Sequence, residues 1–181
     1  MGNATLRTIN CSTVAQIKAA MADARPGDEI IIAAGTYASD AKVKDGFGKF
    51  NYFSGLADGT AANPIIIRGA SSTNLPILTV PTNLRYVSPI MGITGDYWVI
   101  KDLEISYGQK GLMLDTANNC KIINVTIHHT DQEGLHLRSN SSNNLVQNCK
   151  IFETGIGDGG TGEGVYVGSD EKKSYCLSSK L

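Results

Sequence analysis

The chain has no long apolar run, no block of one charge and few aromatic residues. No stretch approaches the ~18 apolar residues that a membrane-crossing helix needs, so none is expected to span a bilayer. Sixteen basic residues stand against seventeen acidic ones, giving a net charge of -1 with no Lys/Arg run. That balance argues against a nucleic-acid partner and against an anionic membrane surface. The opening Met1-Gly2-Asn3-Ala4-Thr5 lacks a basic segment followed by an apolar one, so no secretory signal is read there. The four cysteines, Cys11, Cys120, Cys149 and Cys176, include no CxxC pair and no Cys/His metal spacing. A Gly-rich phosphate loop, a nucleophile elbow and an HExxH motif are all missing. Aromatics make up 7%, and 20 glycines point to a turn-rich β protein with an aliphatic core.

What the chain does have is a repeat. Asp102-Leu103-Glu104-Ile105 aligns with Asn124-Val125-Thr126-Ile127 and with Asn148-Cys149-Lys150-Ile151. Each block leads into another: Gly111-Leu112-Met113-Leu114, Gly134-Leu135-His136-Leu137 and Gly164-Val165-Tyr166-Val167. Short alternating strands at this period, broken by Asn and Gly, mark a solenoid whose rungs stack strand on strand. With no helical pattern between the strands, the fold expected is all-β, a right-handed parallel β-helix. Its rungs are expected over 29–169 of a single domain covering 1–181, with an irregular tail at 170–181. A short helix over 13–24 is expected to cap the N-terminal end, with Thr13 and Gln16 as a capping box and Val14, Ile17, Met21 and Ala24 on one face. The first strand begins at Glu29-Ile30-Ile31-Ile32. Because the rung pattern stops at Val167, the chain reads as truncated at its C-terminal end, with an exposed edge there.

Two strands per rung are predicted. The first points Leu103/Ile105, Val125/Ile127 and Cys149/Ile151 inward, after a ladder of Asp102, Asn124 and Asn148 at the preceding bend. The second points Leu112/Leu114, Leu135/Leu137 and Val165/Val167 inward. Alternation then turns Met113, His136 and Tyr166 outward in one column, and Asp115, Arg138 and Gly168 in the next. The bend between the two strands lengthens from 106–110 to 128–133 to 152–163, which makes one wall of a groove. The segment 38–62, with Phe47, Phe50, Tyr52 and Phe53, reads as an irregular excursion: a loop pinned by aromatics, or a flap that stacks on sugar.

On these repeats the chain resembles the pectate lyase-like superfamily of right-handed β-helices. The opening, Val14-Ala15-Gln16-Ile17 through Pro26-Gly27-Asp28-Glu29-Ile30-Ile31-Ile32-Ala33-Ala34-Gly35-Thr36-Tyr37 and then Asn63-Pro64-Ile65-Ile66-Ile67-Arg68, resembles the start of alginate lyases and chondroitinase B. The resemblance implies a long polysaccharide groove and β-elimination at a uronic acid. A base removes the proton beside the sugar carboxylate, and a cation or donors neutralise that carboxylate. Superfamily lyases often use Lys or Arg as base and Ca²⁺ as the neutraliser.

Against that chemistry, Arg138 is a candidate base or carboxylate grip, or an ion-pair partner of Asp115 one rung away. His136 is a candidate acid, base or sugar donor, or an exposed side chain with no role. Glu133 and Glu163 form either a Ca²⁺ site, with Asp158 adding an oxygen, or, for Glu133, a surface ladder with Lys110. Tyr166 is placed to stack on a sugar ring, and Lys110 and Asp115 to bind substrate. His128-His129, lacking a third ligand at suitable spacing, reads as structural. Hydrolysis of the polygalacturonase type needs clustered aspartates, and no Asp-Asp occurs. The function expected is a lyase acting outside the cell on an acidic polysaccharide. The rivals are a carbohydrate-binding or adhesive β-helix without chemistry, and an inactive lyase fragment.

Overall fold

The computed structural model describes residues 6–45, 48–157 and 162–169. Phe47, Asp158 and the tail at 170–181 fall outside them. Parallel strands stack into a β-helix, as the repeat predicts, and aliphatic columns running along its axis fill the inside. On one face Ile30, Ile67, Ile100 and Ile122 are in direct register and fully buried. On a second, Leu78, Ile105 and Ile127 stack. On a third, Phe53, Met91, Leu112 and Leu135 form one column, and Ile93, Leu114 and Leu137 the next. Each added rung removes another row of apolar side chains from water, at about 25 cal/mol per Å².

The rung has three strand faces, which corrects the two expected. Strands Trp98–Ser106 and Lys121–His128 each cover two faces and fold at a single left-handed residue, Asp102 (φ 55°) or Asn124 (φ 52°). One rung later Asn148 (φ 54°) stands between Leu145–Gln147 and Lys150–Phe152. Asp and Asn enter this conformation at little cost, so the chain turns within one residue and leaves no gap in the sequence pattern. Asn124 Nδ2 donates to Asp102 Oδ1 at 2.7 Å, the first step of the expected ladder. A second corner, after the middle face, is built from Tyr107, His129 and Glu153 at φ 67°, 52° and 50°.

The excursion at 38–62 is more regular than its composition suggests. Val43–Lys44 and Phe50–Asn51 pair as a hairpin, and Phe53–Gly55 is a rung strand paired with Met91–Ile93. Tyr52 and Phe53 are buried in the core, so aromatics do pin this segment. Phe50 stays exposed, with the Lys42 and Lys44 ammonium groups 5.4 and 6.0 Å from its ring centroid.

The solenoid also begins earlier than position 29, because Thr8–Cys11 pairs with Glu29–Ile32. The helix between them, Val14–Ala22, ends two residues short of the expected Ala24. Thr13 Oγ1 accepts from the Gln16 amide at 3.2 Å, and Gln16 Oε1 accepts from the amide of Ser12 at 2.8 Å, so the box closes one residue early. Ile17, Ala20 and Met21 are buried where the helix packs on Thr8–Cys11 and Phe53–Gly55. Arg7 fastens this end, its Nε donating to Asp28 Oδ1 at 2.7 Å and its Nη1 to Asp23 Oδ2 at 3.0 Å.

At the other end, Val165 and Val167 pair with Leu135 and Leu137 as expected but are 46% and 71% exposed. Their register holds while their burial does not, since no described rung lies over them. Cys11, Cys120 and Cys149 are free thiols; Cys149 packs against the core, and burial pushes the Cys120 thiol up to about 11.

The glycines that open the first two repeats, Gly111 and Gly134, have a steric cause. A Cβ on Gly111 would lie 2.3 Å from Ile127 Cγ2 and 2.5 Å from the carbonyl oxygen of Gly134. At Gly164 the nearest atom would be Ile151 Cγ2, at 3.6 Å. Gly111→Ala is therefore expected to cost about 1–3 kcal/mol by overpacking. Gly164→Ala is expected to stay within ~0.5 kcal/mol. Urea unfolding of the two variants side by side checks the contrast.

Candidate functional site

Alternation on the third face buries Leu112, Leu114, Leu135 and Leu137 and turns Met113, His136 and Tyr166 outward. These three are in direct register with one another and, on earlier rungs, with Gly92 and Ser54. Asp115 lies opposite Arg138. The Gly111 amide donates to Glu133 O at 3.2 Å and the Gly134 amide to Glu163 O at 3.0 Å, so Lys110, Glu133 and Glu163 share the entry column.

Arg138 is paired with Asp115: its Nε and Nη2 donate to Asp115 Oδ2 at 3.0 and 2.5 Å. The Asp115 side chain is nearly enclosed, while that of Arg138 keeps 21% of its surface. The Lys110 ammonium donates to Glu133 Oε2, which makes the Lys110–Glu133 ladder the observed arrangement. Burial pushes the Glu133 carboxyl up, but Lys110 and a backbone amide outweigh it and hold the group below its ordinary range. Glu133 Oε1 also lies 3.5 Å from His136 Nδ1.

His136 departs from expectation in one respect. It faces outward from the sheet yet is only 6% exposed. The Tyr166 ring lies against it, centroids 4.7 Å apart at 53°, and its Nε2 is 3.0 Å from the carbonyl oxygen of Gly168. Burial lowers its pKa below the ordinary imidazole value, with the Gly168 carbonyl opposing in part. In the neutral ring Nε2–H donates to Gly168, which leaves Nδ1 a lone pair without a hydrogen-bond partner. Met113, in the same column, is buried and contributes no polar group.

Asn51 enters this face without any signal in the repeat, because it arrives from the hairpin. Its side chain is fully buried over Gly92, where a Cβ would come within 2.4 Å of Asn51 Cγ. Asn51 Nδ2 is 3.4 Å from Ser54 Oγ, and its Oδ1 has no hydrogen-bond partner.

Ca²⁺ takes six to eight oxygen ligands. Glu133 is instead held by an ammonium, Glu163 is exposed one rung on, and Asp158 lies outside the described residues. Glu133 and Glu163 as arranged here do not fit the ion. Among the described residues, the three donors that converge are His128, His129 and Glu153, two nitrogens and one carboxylate. Reading the His pair as lacking a third ligand is thereby corrected: the next rung supplies one.

The family model for the Pel9A-like right-handed β-helix region matches residues 2–169. The chain belongs to that family. This Pel9A-like chain is 29% identical over 137 residues to pectate lyase L of Dickeya chrysanthemi, covering 74% of itself and 31% of that protein. With pectate lyase L of Dickeya dadantii (strain 3937) it shares 27% identity over 154 residues, 83% of the chain and 35% of the relative. It thus spans about a third of the length of these curated relatives. The crystal structure of an alginate lyase from Paenibacillus sp. str. FPU-7 superposes with a TM-score of 0.78 at 35% identity, over 93% of this chain and 52% of that one. Pectate lyase Pel9A superposes with a TM-score of 0.60 at 25% identity, over 75% and 33%. The protein is thus a polysaccharide lyase-like β-helix. No helix among the described residues is long and apolar enough to cross a membrane.

Proposed function

We propose that the protein acts outside the cell as a lyase on a uronate-containing polysaccharide, cleaving it by β-elimination. The observation that carries this reading is the outward strip on the third face. It sets a partly exposed guanidinium and a neutral imidazole on one rung and an aromatic ring on the next, about 4.8 Å along the axis. The similarity to pectate and alginate lyases supports the substrate class.

Arg138 grips the uronate carboxylate. Asp115 engages Nε and Nη2, orienting the planar fork and leaving Nη1 free to donate. A guanidinium is a donor only, so Arg138 binds the substrate carboxylate and does not take the proton. His136 takes the proton: burial lowers its pKa, and its Nδ1, enclosed beside Glu133 without a hydrogen-bond partner, is reached once the Tyr166 ring that covers it moves onto the sugar. The C5–H electrons form the C4–C5 double bond, the C4–O4 bond breaks, the leaving oxygen takes a proton from solvent water, and the His136 imidazolium returns its own proton to solvent. Tyr166 offers its ring to the sugar face, and Lys110 holds Glu133 beneath.

The test is ultraviolet absorbance of the unsaturated product on pectate, alginate and glycosaminoglycans, each with Ca²⁺ and with a chelator. Arg138→Ala is expected to lower turnover by about 10²–10³-fold. Because the pKa of His136 is lowered, the acid limb of the pH–rate profile should fall below the ordinary imidazole value of about 6.5. Full activity in Arg138→Ala would overturn the assignment.

A second reading, glycan binding without chemistry, is favoured by the burial of His136 beneath Tyr166. It predicts saturable glycan binding that Arg138→Ala weakens, with no unsaturated product from any substrate.

A further inference from the structure

At the second corner, outside the strip just described, two imidazoles and a carboxylate from successive rungs meet. His128 is the last residue of strand Lys121–His128, and His129 is the left-handed residue that turns the chain. His128 pairs with Phe152 across the rungs, which puts Glu153 in the corner position equivalent to His129. His128 Nδ1 and His129 Nδ1 are 2.6 Å apart, and His129 Nδ1 is 3.0 Å from Glu153 Oε2. All three ligand atoms lie within 4.8 Å of one another.

The surroundings fix which atoms face the common point. His128 Nε2 lies 3.1 Å from Glu104 Oε1, so its N–H is directed at that carboxylate and its Nδ1 carries the lone pair. The Phe152 ring stacks on His128 at 5.1 Å and 9°, and Tyr107 packs at 4.8 Å on His129, so both imidazoles are held in place. Without a metal, one proton on His129 Nδ1 has to serve both the His128 lone pair and the Glu153 carboxylate. A cation at that point would satisfy all three donors together.

We propose that His128, His129 and Glu153 bind a divalent transition-metal ion of the Zn²⁺ type, with Glu104 orienting His128 from behind. Two nitrogens and one carboxylate suit Zn²⁺ and leave its fourth position open, whereas Ca²⁺ and Mg²⁺ select oxygen-only sites. Two ligands at ~2.0–2.1 Å from a tetrahedral ion stand about 3.3 Å apart, so binding opens the imidazole pair by about 0.7 Å. The carboxylate behind His128 is the usual outer partner of a metal-bound imidazole. The ion would tie two rungs together at a corner, and this inference does not depend on the lyase reading.

The experiment is calorimetric titration of the whole chain, first dialysed against chelator, with ZnCl₂ alone and again in excess CaCl₂. One saturable Zn²⁺ per chain, undisturbed by Ca²⁺, is expected. Glu153→Gln and His129→Asn should abolish it, and Glu104→Gln should weaken it about 10–100-fold. Circular dichroism establishes that each variant is folded, and the Glu153 side chain is 55% exposed, so its exchange leaves packing intact. No saturable Zn²⁺ uptake by the wild type would overturn the site, as would unchanged affinity in folded Glu153→Gln.

Discussion

Trp98→Ala should lower the free energy of unfolding by about 3–5 kcal/mol, the range for removing a large aromatic from a closed core. The ring is fully buried, and its Nε1 donates to the carbonyl oxygen of Ala57 at 2.7 Å. Two glycines make room for it. A Cβ on Gly55 would stand 2.8 Å from Trp98 Cζ2, and one on Gly95 would be 2.9 Å from Trp98 Nε1. Backbone set this close to an indole cannot collapse far into the space it leaves, which puts the variant towards the upper end of the range. Trp98→Phe separates the contributions, since it keeps a ring but strands the Ala57 carbonyl, for about 1–3 kcal/mol. Urea unfolding followed by far-UV circular dichroism measures both. A loss below 1 kcal/mol in Trp98→Ala would mean that the rungs on either side close over the gap.

Lys110→Met should be comparably damaging, by about 3–5 kcal/mol, through the carboxylate it leaves behind. Glu133 is 5% exposed and owes its ionised state to Lys110. With the ammonium gone, burial, the largest influence on the carboxyl, outweighs the backbone amide that remains and raises its pKa. The double variant Lys110→Met/Glu133→Leu removes both charges and should recover most of the loss. The pH dependence gives a second readout of opposite sign in the two proteins. In the wild type, the depressed pKa of Glu133 contributes stability that is present above the unfolded carboxyl value and is lost as pH falls. In Lys110→Met the raised pKa makes the folded state the stronger proton binder, so acid stabilises the variant. Unfolding midpoints at neutral and mildly acidic pH distinguish these cases.

The inward columns were legible because burial forces a strict rule. Leu103 over Val125 and Ile105 over Ile127 repeat the same apolar type at the same point of each rung. The outward column of Met113, His136 and Tyr166 followed from the same alternation and from nothing else. The strand at Phe53–Gly55 escaped notice because serine and glycine carry little strand preference; its identity comes from pairing with Met91–Ile93. The one-residue corners hid the third face by leaving no turn-like segment. Neither the burial of His136 nor the third donor at 128–129 could be read, for a shared reason. The groups that decide them, Tyr166 and Glu153, lie a full rung away along the chain.

The two corners also differ in what they ask of the residues that occupy them. Asp102, Asn124 and Asn148 rest in a conformation that suits their side chains. Tyr107, His129 and Glu153 adopt it against their preference, at roughly 1–2 kcal/mol each relative to glycine. One seam along the axis is therefore relaxed and the other is held under tension. A sequence free to drift towards stability alone would fill the tensioned seam with glycine or asparagine. It holds an aromatic ring, an imidazole and a carboxylate instead, so the side chains that meet there come at the expense of backbone ease.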